Sequence, residues 1–321
     1  MSAAVLEPAS CVSPSSSQAC KGERVHRRVS MSLEFYPPAD AAGETQLWNS
    51  LERLALVAPR FVSVTCGAAG ATQARTESLV AQIQSRTELA VAPHLTCVGG
   101  SRHALLERVR AYERSGVRQI IPLRGDSPRH GPGGGAGRGP FVPHSSGFTS
   151  AIELVAAIRR VTDLDIAVAA YPETHPDARS AALDIQHLKG KIDAGANHAM
   201  TQFFFEPDLY LRFRDACVRA GINAPVAPGL LTTIRLPQLL QFAARCGASV
   251  LQRLIERSAK WSEDAAAQQR ISTSVVIDLV HRLHAEGVDH FHLYTLNRAA
   301  PTLILCEALG LEPHLAAETP S

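Results

Sequence analysis

From Val29 to about residue 310, short β-branched or apolar runs alternate with longer amphipathic stretches, and no other feature of the sequence constrains the fold as tightly. Parallel strands need a long crossover between them, and helices supply it, so such alternation points to repeated βα units around a parallel sheet. Strands are predicted at 29–35, 61–66, 91–97, 118–123, 166–171, 199–204, 225–229 and 289–294. Helices are predicted at 72–88, 101–115, 149–162, 178–194, 207–220, 235–246 and 298–310, while 248–287 carries more helix than one crossover needs. Thr149, Asp177 and Pro207 stand near predicted helix starts and Gly116, Gly195 and Gly221 near predicted ends, the usual capping asymmetry. Eight such units predict a single-domain α/β fold, a (β/α)8 barrel over residues 29–312, which one core commonly fills at this length.

The flanks and one insertion break the pattern. Residues 1–28 are rich in Ser and Ala and are expected to form a disordered extension, and 313–321 a short tail. Residues 127–147 (SPRHGPGGGAGRGPFVPHSSG) are too rich in Gly and Pro for regular structure and read as a flexible loop. A phosphate-cradling role for these glycines is disfavoured, because no Gly-Lys-Ser/Thr follows. A formal net charge of +2 and the lack of a basic block interleaved with aromatics argue against a nucleic-acid partner. No run of about 18 apolar residues suggests a membrane span. The seven cysteines are scattered without a Cys-x-x-Cys pair, which fits a reducing cytoplasm. His281 with His284, and His290 with His292, lack a completing carboxylate or thiolate, so no metal site is expected.

In a barrel of this type, functional groups gather where strands end at the C-terminal face. The predicted strand ends carry Glu34, Thr65, His94, Arg124 with Asp126, Tyr171, Gln202 and Tyr294. Alternation along the first strand puts Ser30, Ser32 and Glu34 on one face, opposite Val29, Met31, Leu33 and Phe35, so Glu34 points into the mouth. There it serves either as a partly desolvated acid or as the partner of an arginine across the barrel. In the turn LRGD (123–126), Gly125 lets a flat ligand approach the backbone. Arg124 could hold a phosphate and Asp126 could tune a ring nitrogen; an ordinary Arg/Asp surface turn explains the same residues. Tyr171 and His175 sit on a proline-stiffened loop suited to stacking against a nucleotide. Asp184 and Lys191 are two turns apart on one helix face, where ordinary solvated charges are the plainer reading.

Taken together, SLEFYPP (32–38), FVSVTCGA (61–68), APHLTC (92–97), LRGD (123–126), AAYPETHP (169–176), KIDAGANHAMTQFFFEPDLYLRF (191–213), PGLL (228–231) and HLYTLNR (292–298) resemble the methylenetetrahydrofolate reductase family, in family order. The resemblance implies a barrel holding FAD at its mouth and reducing 5,10-methylenetetrahydrofolate to 5-methyltetrahydrofolate for methionine synthesis, with NADH or NADPH as donor. It implies Glu34 as general acid and Asp126 as the carboxylate near the flavin and pterin. Thr65, His94, Leu123, Arg124, Gly125, Asp126, Tyr171, His175, Asp184 and Lys191 fall at the family's flavin contacts. Gln202, Gln238, Phe242 and Leu296 fall at its folate or nicotinamide contacts. The family often forms homo-oligomers. A short tail after the barrel matches bacterial members without the C-terminal regulatory domain of animal and fungal relatives, so inhibition by S-adenosylmethionine is not expected. Cys66 stands where relatives often carry an aromatic, and the glycine-rich insertion falls beside the expected site.

Overall fold

A computed structural model describes residues 29–67, 73–125, 141–232, 236–260 and 264–311. Eight parallel strands close into a barrel in sequence order: β1 (Ser30–Phe35), β2 (Val62–Val64), β3 (Val91–Thr96), β4 (Gln119–Leu123), β5 (Asp165–Ala170), β6 (His198–Phe203), β7 (Val226–Leu231) and β8 (His290–Tyr294). Closure is made by β1 against β8, in a register that runs from Ser30 beside His290 to Glu34 beside Tyr294. All eight predicted strands are present, and the (β/α)8 fold is the one expected.

The helices follow the expected order, with α2 (Gln73–Arg86), α3 (Arg102–Arg114), α4 (Ala151–Arg159), α5 (Ala181–Asp193), α6 (Pro207–Arg219), α7 (Leu236–Cys246) and α10 (Ala299–Ala308). The excess helix before β8 resolves into α8 (Gln252–Ala259) and α9 (Ala265–Ala285). The sequence reading lacked α1 (Ala41–Ala55), although Asp40 caps it by accepting from Gly43 N, and Leu47, Trp48, Leu51 and Leu54 form its buried stripe. Helix α5 begins later than expected. Its cap is Ser180, which accepts from Leu183 N, because the Asp177 carboxylate is held by Arg124 instead. Gly116, Gly195 and Gly221 end their helices at φ of 94, 116 and 77°, a conformation that side-chain-bearing residues resist.

The outer strand faces and the helices build one large core, while inside the barrel Phe61, Ala92, Ile121, Ala167, Met200 and Ala227 pack into a separate small layer with Leu123 against it. The alanines keep this inner layer thin, which leaves the mouth above it to polar side chains. Strands β6 and β7 approach closely where their register shifts between Met200 and Phe203. A Cβ on Gly229 would lie 2.0 Å from the Thr201 carbonyl oxygen, so only glycine fits there.

Candidate functional site

At the floor of the mouth, the inward face of β1 places Glu34 between two imidazoles contributed by β3 and β8. Glu34 Oε2 lies 3.4 Å from His94 Nε2 and 3.5 Å from His292 Nε2. Both ring nitrogens are buried and, among the described residues, have no hydrogen-bond acceptor in place. Burial is the main force holding His94 below its usual pKa; the Glu34 carboxylate opposes it and His292 reinforces it. Burial likewise pushes the Tyr294 phenol up, and its hydroxyl donates to Thr201 O at 2.7 Å. The arginine partner considered for Glu34 is replaced by two histidines, one from β3 and one from β8.

Beside this floor, over β4 and β5, opens a cleft of about 610 Å3. Leu123, Arg124, Gly125, Tyr171, His175, Asp184 and Lys191 all line it. Gly125 has a φ of 82°, and its bare Cα keeps the wall flat. Arg124 donates to Asp177 Oδ2 at 2.6 Å and lies over the Phe141 ring, 5.5 Å from its centroid. The β5–α5 loop is fixed from within: Asp184 Oδ2 accepts from His175 N at 2.8 Å, His175 Nδ1 accepts from Asp177 N, and the Tyr171 and His175 rings meet edge to face. Lys191 is only 6 % exposed, which overturns its reading as a solvated helix charge. Its Nζ donates to Ala169 O at 2.5 Å. Burial lowers its pKa to about 8 against the opposing charge of Asp184.

Thr65 and His94 lie at the strand ends but do not line the cleft; Thr65 O accepts from Thr76 Oγ1, and His94 faces Glu34. Asp126 and residues 127–140 of the insertion lie outside the described residues. On the other side of the mouth, Gln202 lines a small recess with Tyr171 and Phe203, and its Oε1 accepts from Phe203 N. Phe242, half-buried on α7, stacks on Phe203 at 5.4 Å with the planes 12° apart. Gln238 is exposed one turn earlier on α7. Leu296 follows β8 with a φ of 51°, next to Asn297 at 56°. Asn297 anchors this turn by accepting from Tyr36 N and donating to Tyr36 O.

Several cleft residues escaped the sequence reading. His187 lines the cleft between Asp184 and Lys191 on α5, and helical spacing alone would have put it on their face. Burial, with Lys191 nearby, lowers its pKa while Asp184 opposes. Thr96 and Ser150 also line the cleft, Thr96 with a buried hydroxyl that has no partner among the described residues. His292 was weighed only as a metal ligand, yet it faces Glu34. His281 and His284 bond instead to the carbonyls of Ala308 and Val288.

A closed barrel, a carboxylate caught between imidazoles at its mouth and a cofactor-sized cleft alongside define a (β/α)8-barrel protein with a polar site at the C-terminal ends of its strands. The family model described as methylenetetrahydrofolate reductase matches residues 21–310, and the chain belongs to that family. It is 42 % identical over 289 residues to a 5,10-methylenetetrahydrofolate reductase of Pectobacterium carotovorum, covering 90 % of this chain and 93 % of the relative. It is 41 % identical over 291 residues to the protein of that name from Escherichia coli K12, covering 91 % and 94 %. Among solved structures, a Clostridium thermocellum protein described as binding two copies of 5-methyl-5,6,7,8-tetrahydrofolic acid shares the fold, with a TM-score of 0.57 at 13 % identity over 88 % of this chain and 95 % of the other.

Proposed function

We propose that this chain is a flavin-dependent methylenetetrahydrofolate reductase. In this reading it passes a hydride from NADH or NADPH, by way of FAD, to 5,10-methylenetetrahydrofolate, and the 5-methyltetrahydrofolate supplies methyl groups for methionine synthesis in the cytoplasm. The observation that carries the reading is the Glu34 carboxyl at the floor of the mouth, flanked by His94 and His292 and adjoining the cleft. Among the described residues, no helix is long and apolar enough to cross a membrane.

The cleft residues fit a flavin dinucleotide. A volume near 610 Å3 falls within the roughly 300–1,000 Å3 usual for cofactor sites. The orphaned Thr96 hydroxyl, the buried Lys191 ammonium and the Arg124 guanidinium supply donors for an oxygen-rich ligand. The N-terminus of α4 opens into the same cleft at Ser150 and Ala151 and favours an anion there. In this assignment Leu123, Arg124, Gly125, Tyr171, His175, Asp184 and Lys191 hold the cofactor from the cleft wall, joined by Thr65 and His94 from the strand ends beside it and by Asp126, which follows Gly125 in the chain. When bound, FAD supplies the hydride chemistry.

The chain's own groups then orient and protonate. Glu34 donates its proton to the folate nitrogen that bridges the methylene carbon, opening the ring to an iminium that accepts the hydride. Asp126 stabilises that cation electrostatically. Gln202 hydrogen-bonds the pterin, and Gln238, Phe242 and Leu296 line the face on which folate and nicotinamide alternate. The test is Glu34→Gln in anaerobic stopped flow. Folate reduction falls by about 10²–10⁴, the usual contribution of a general acid, while flavin reduction by the nicotinamide keeps its rate. Equal loss in both half-reactions would overturn the assignment.

A further inference from the structure

We propose that Glu173 is a positioning residue that straps the loop on the flavin side of the mouth to the helix on its substrate side, so that filling the cleft orders the face that receives folate and nicotinamide. The proposal rests on the reading of the cleft as the flavin site and of α7 as part of the substrate face.

The loop after β5 has two flanks. Tyr171, His175 and Asp177 line the cleft, where Asp177 accepts from Arg124 at 2.6 Å and Asp184 accepts from the His175 amide. Between these residues Glu173 faces a different element. Its Oε1 accepts from Ser249 N at 2.7 Å and its Oε2 from Ser249 Oγ at 2.5 Å, so both carboxylate oxygens grip one residue 76 positions further along the chain. Hydrogen bonds to an ionised acceptor are stronger than neutral ones, and two from one residue fix orientation as well as distance. Pro176 supports the same turn from below: a Cβ on Gly247 would lie 2.5 Å from Pro176 Cγ, so Gly247 sits directly against the proline ring.

The gripped turn, residues 247–251, joins α7 to α8. Helix α7 carries Gln238 and Phe242, and Phe242 stacks on Phe203 with the ring centroids 5.4 Å apart. Cys246 and Gly247, where α7 ends, share the lining of the Gln202 recess with Tyr171 and Glu173. The strap therefore connects residues that line the cleft to the helix that presents the stacking ring. A ligand that contacts Tyr171, His175 and Asp177 stiffens the loop, and the carboxylate grip carries that order into the turn and α7. Loss of the grip leaves each site intact and uncouples them.

The test compares hydrogen–deuterium exchange of the amides across 236–250 in flavin-stripped and FAD-loaded protein, alongside KM and kcat of the loaded enzyme. In the wild type, FAD is expected to slow exchange across α7 and the turn by about fivefold or more. Glu173→Ala should still bind FAD but lose that protection, raise KM for methylenetetrahydrofolate and for the nicotinamide by about tenfold, and hold kcat within about twofold. Glu173→Gln, which keeps an acceptor for Ser249 N, should recover most of the protection. Ser249→Ala removes one of the two bonds from the exposed partner without touching the loop, and should give an intermediate loss. Equal protection by FAD in wild type, Glu173→Ala and Ser249→Ala would overturn the strap, as would a fall in kcat at unchanged KM. Failure of the wild type to bind FAD would remove the flavin reading and the strap with it, whereas FAD binding without protection of α7 removes the strap alone.

Discussion

Lys191 offers a quantitative test, because its burial sets a pH-dependent penalty that a cofactor would offset. The folded-state pKa of about 8 lies below the ordinary 10.5, and each pKa unit is worth about 1.4 kcal/mol. At pH 7 the charged, buried ammonium therefore costs the cofactor-free protein about 3 kcal/mol. Between pH 8 and 10.5 the unfolded chain binds more protons at this site than the folded one, so stability rises with pH across that window. By pH 9.5 the remaining penalty is about 1 kcal/mol. Lys191→Met removes the penalty and also the bond to Ala169 O, worth about 1 kcal/mol. The variant should be more stable than wild type by about 2 kcal/mol at pH 7 and roughly equal at pH 9.5. Urea unfolding of both flavin-stripped proteins at the two pH values measures this, and flavin fluorescence measures the accompanying loss of FAD affinity. A stability difference that does not change with pH would refute the reasoning.

Phe242→Ala removes a ring stacked on Phe203, at the face proposed for folate and nicotinamide, and about 1 kcal/mol of aromatic contact with it. It should raise KM for both folate and nicotinamide by roughly tenfold while leaving FAD retention unchanged, as read by steady-state kinetics and the absorbance of the purified protein. Gly229→Ala forces a Cβ to within 2.0 Å of Thr201 O and should cost about 3 kcal/mol or more, visible as a large fall in Tm.

The barrel was legible because its signal is repeated: each strand is a short apolar run, and helix-ending glycines precede β4, β6, β7 and β8, so small boundary errors do not change the topology. Glu34 was legible from alternation along a single strand. His292 and Ser32 were not recognised as its neighbours, because their proximity comes from the closure of β1 on β8, some 260 residues apart in sequence. Asp177 illustrates a competing interaction: its side chain would suit a helix cap, but Arg124, 53 residues away, takes it, and Ser180 caps α5 instead. Lys191 read as a surface charge because nothing local reveals that its side chain runs inward to Ala169. Helix α1 was missed despite a local signal, the Asp40 cap and a buried stripe at helical spacing.

The central claim, that this barrel carries a hydride from a nicotinamide to folate through a flavin, is tested most directly by an anaerobic absorbance titration of the purified protein. Adding NADH or NADPH should bleach a flavin band, and subsequent methylenetetrahydrofolate should restore it, which also identifies the donor. A colourless protein that cannot be reconstituted with FAD, yet still binds folate, would contradict the account and leave a pterin-binding barrel without redox chemistry.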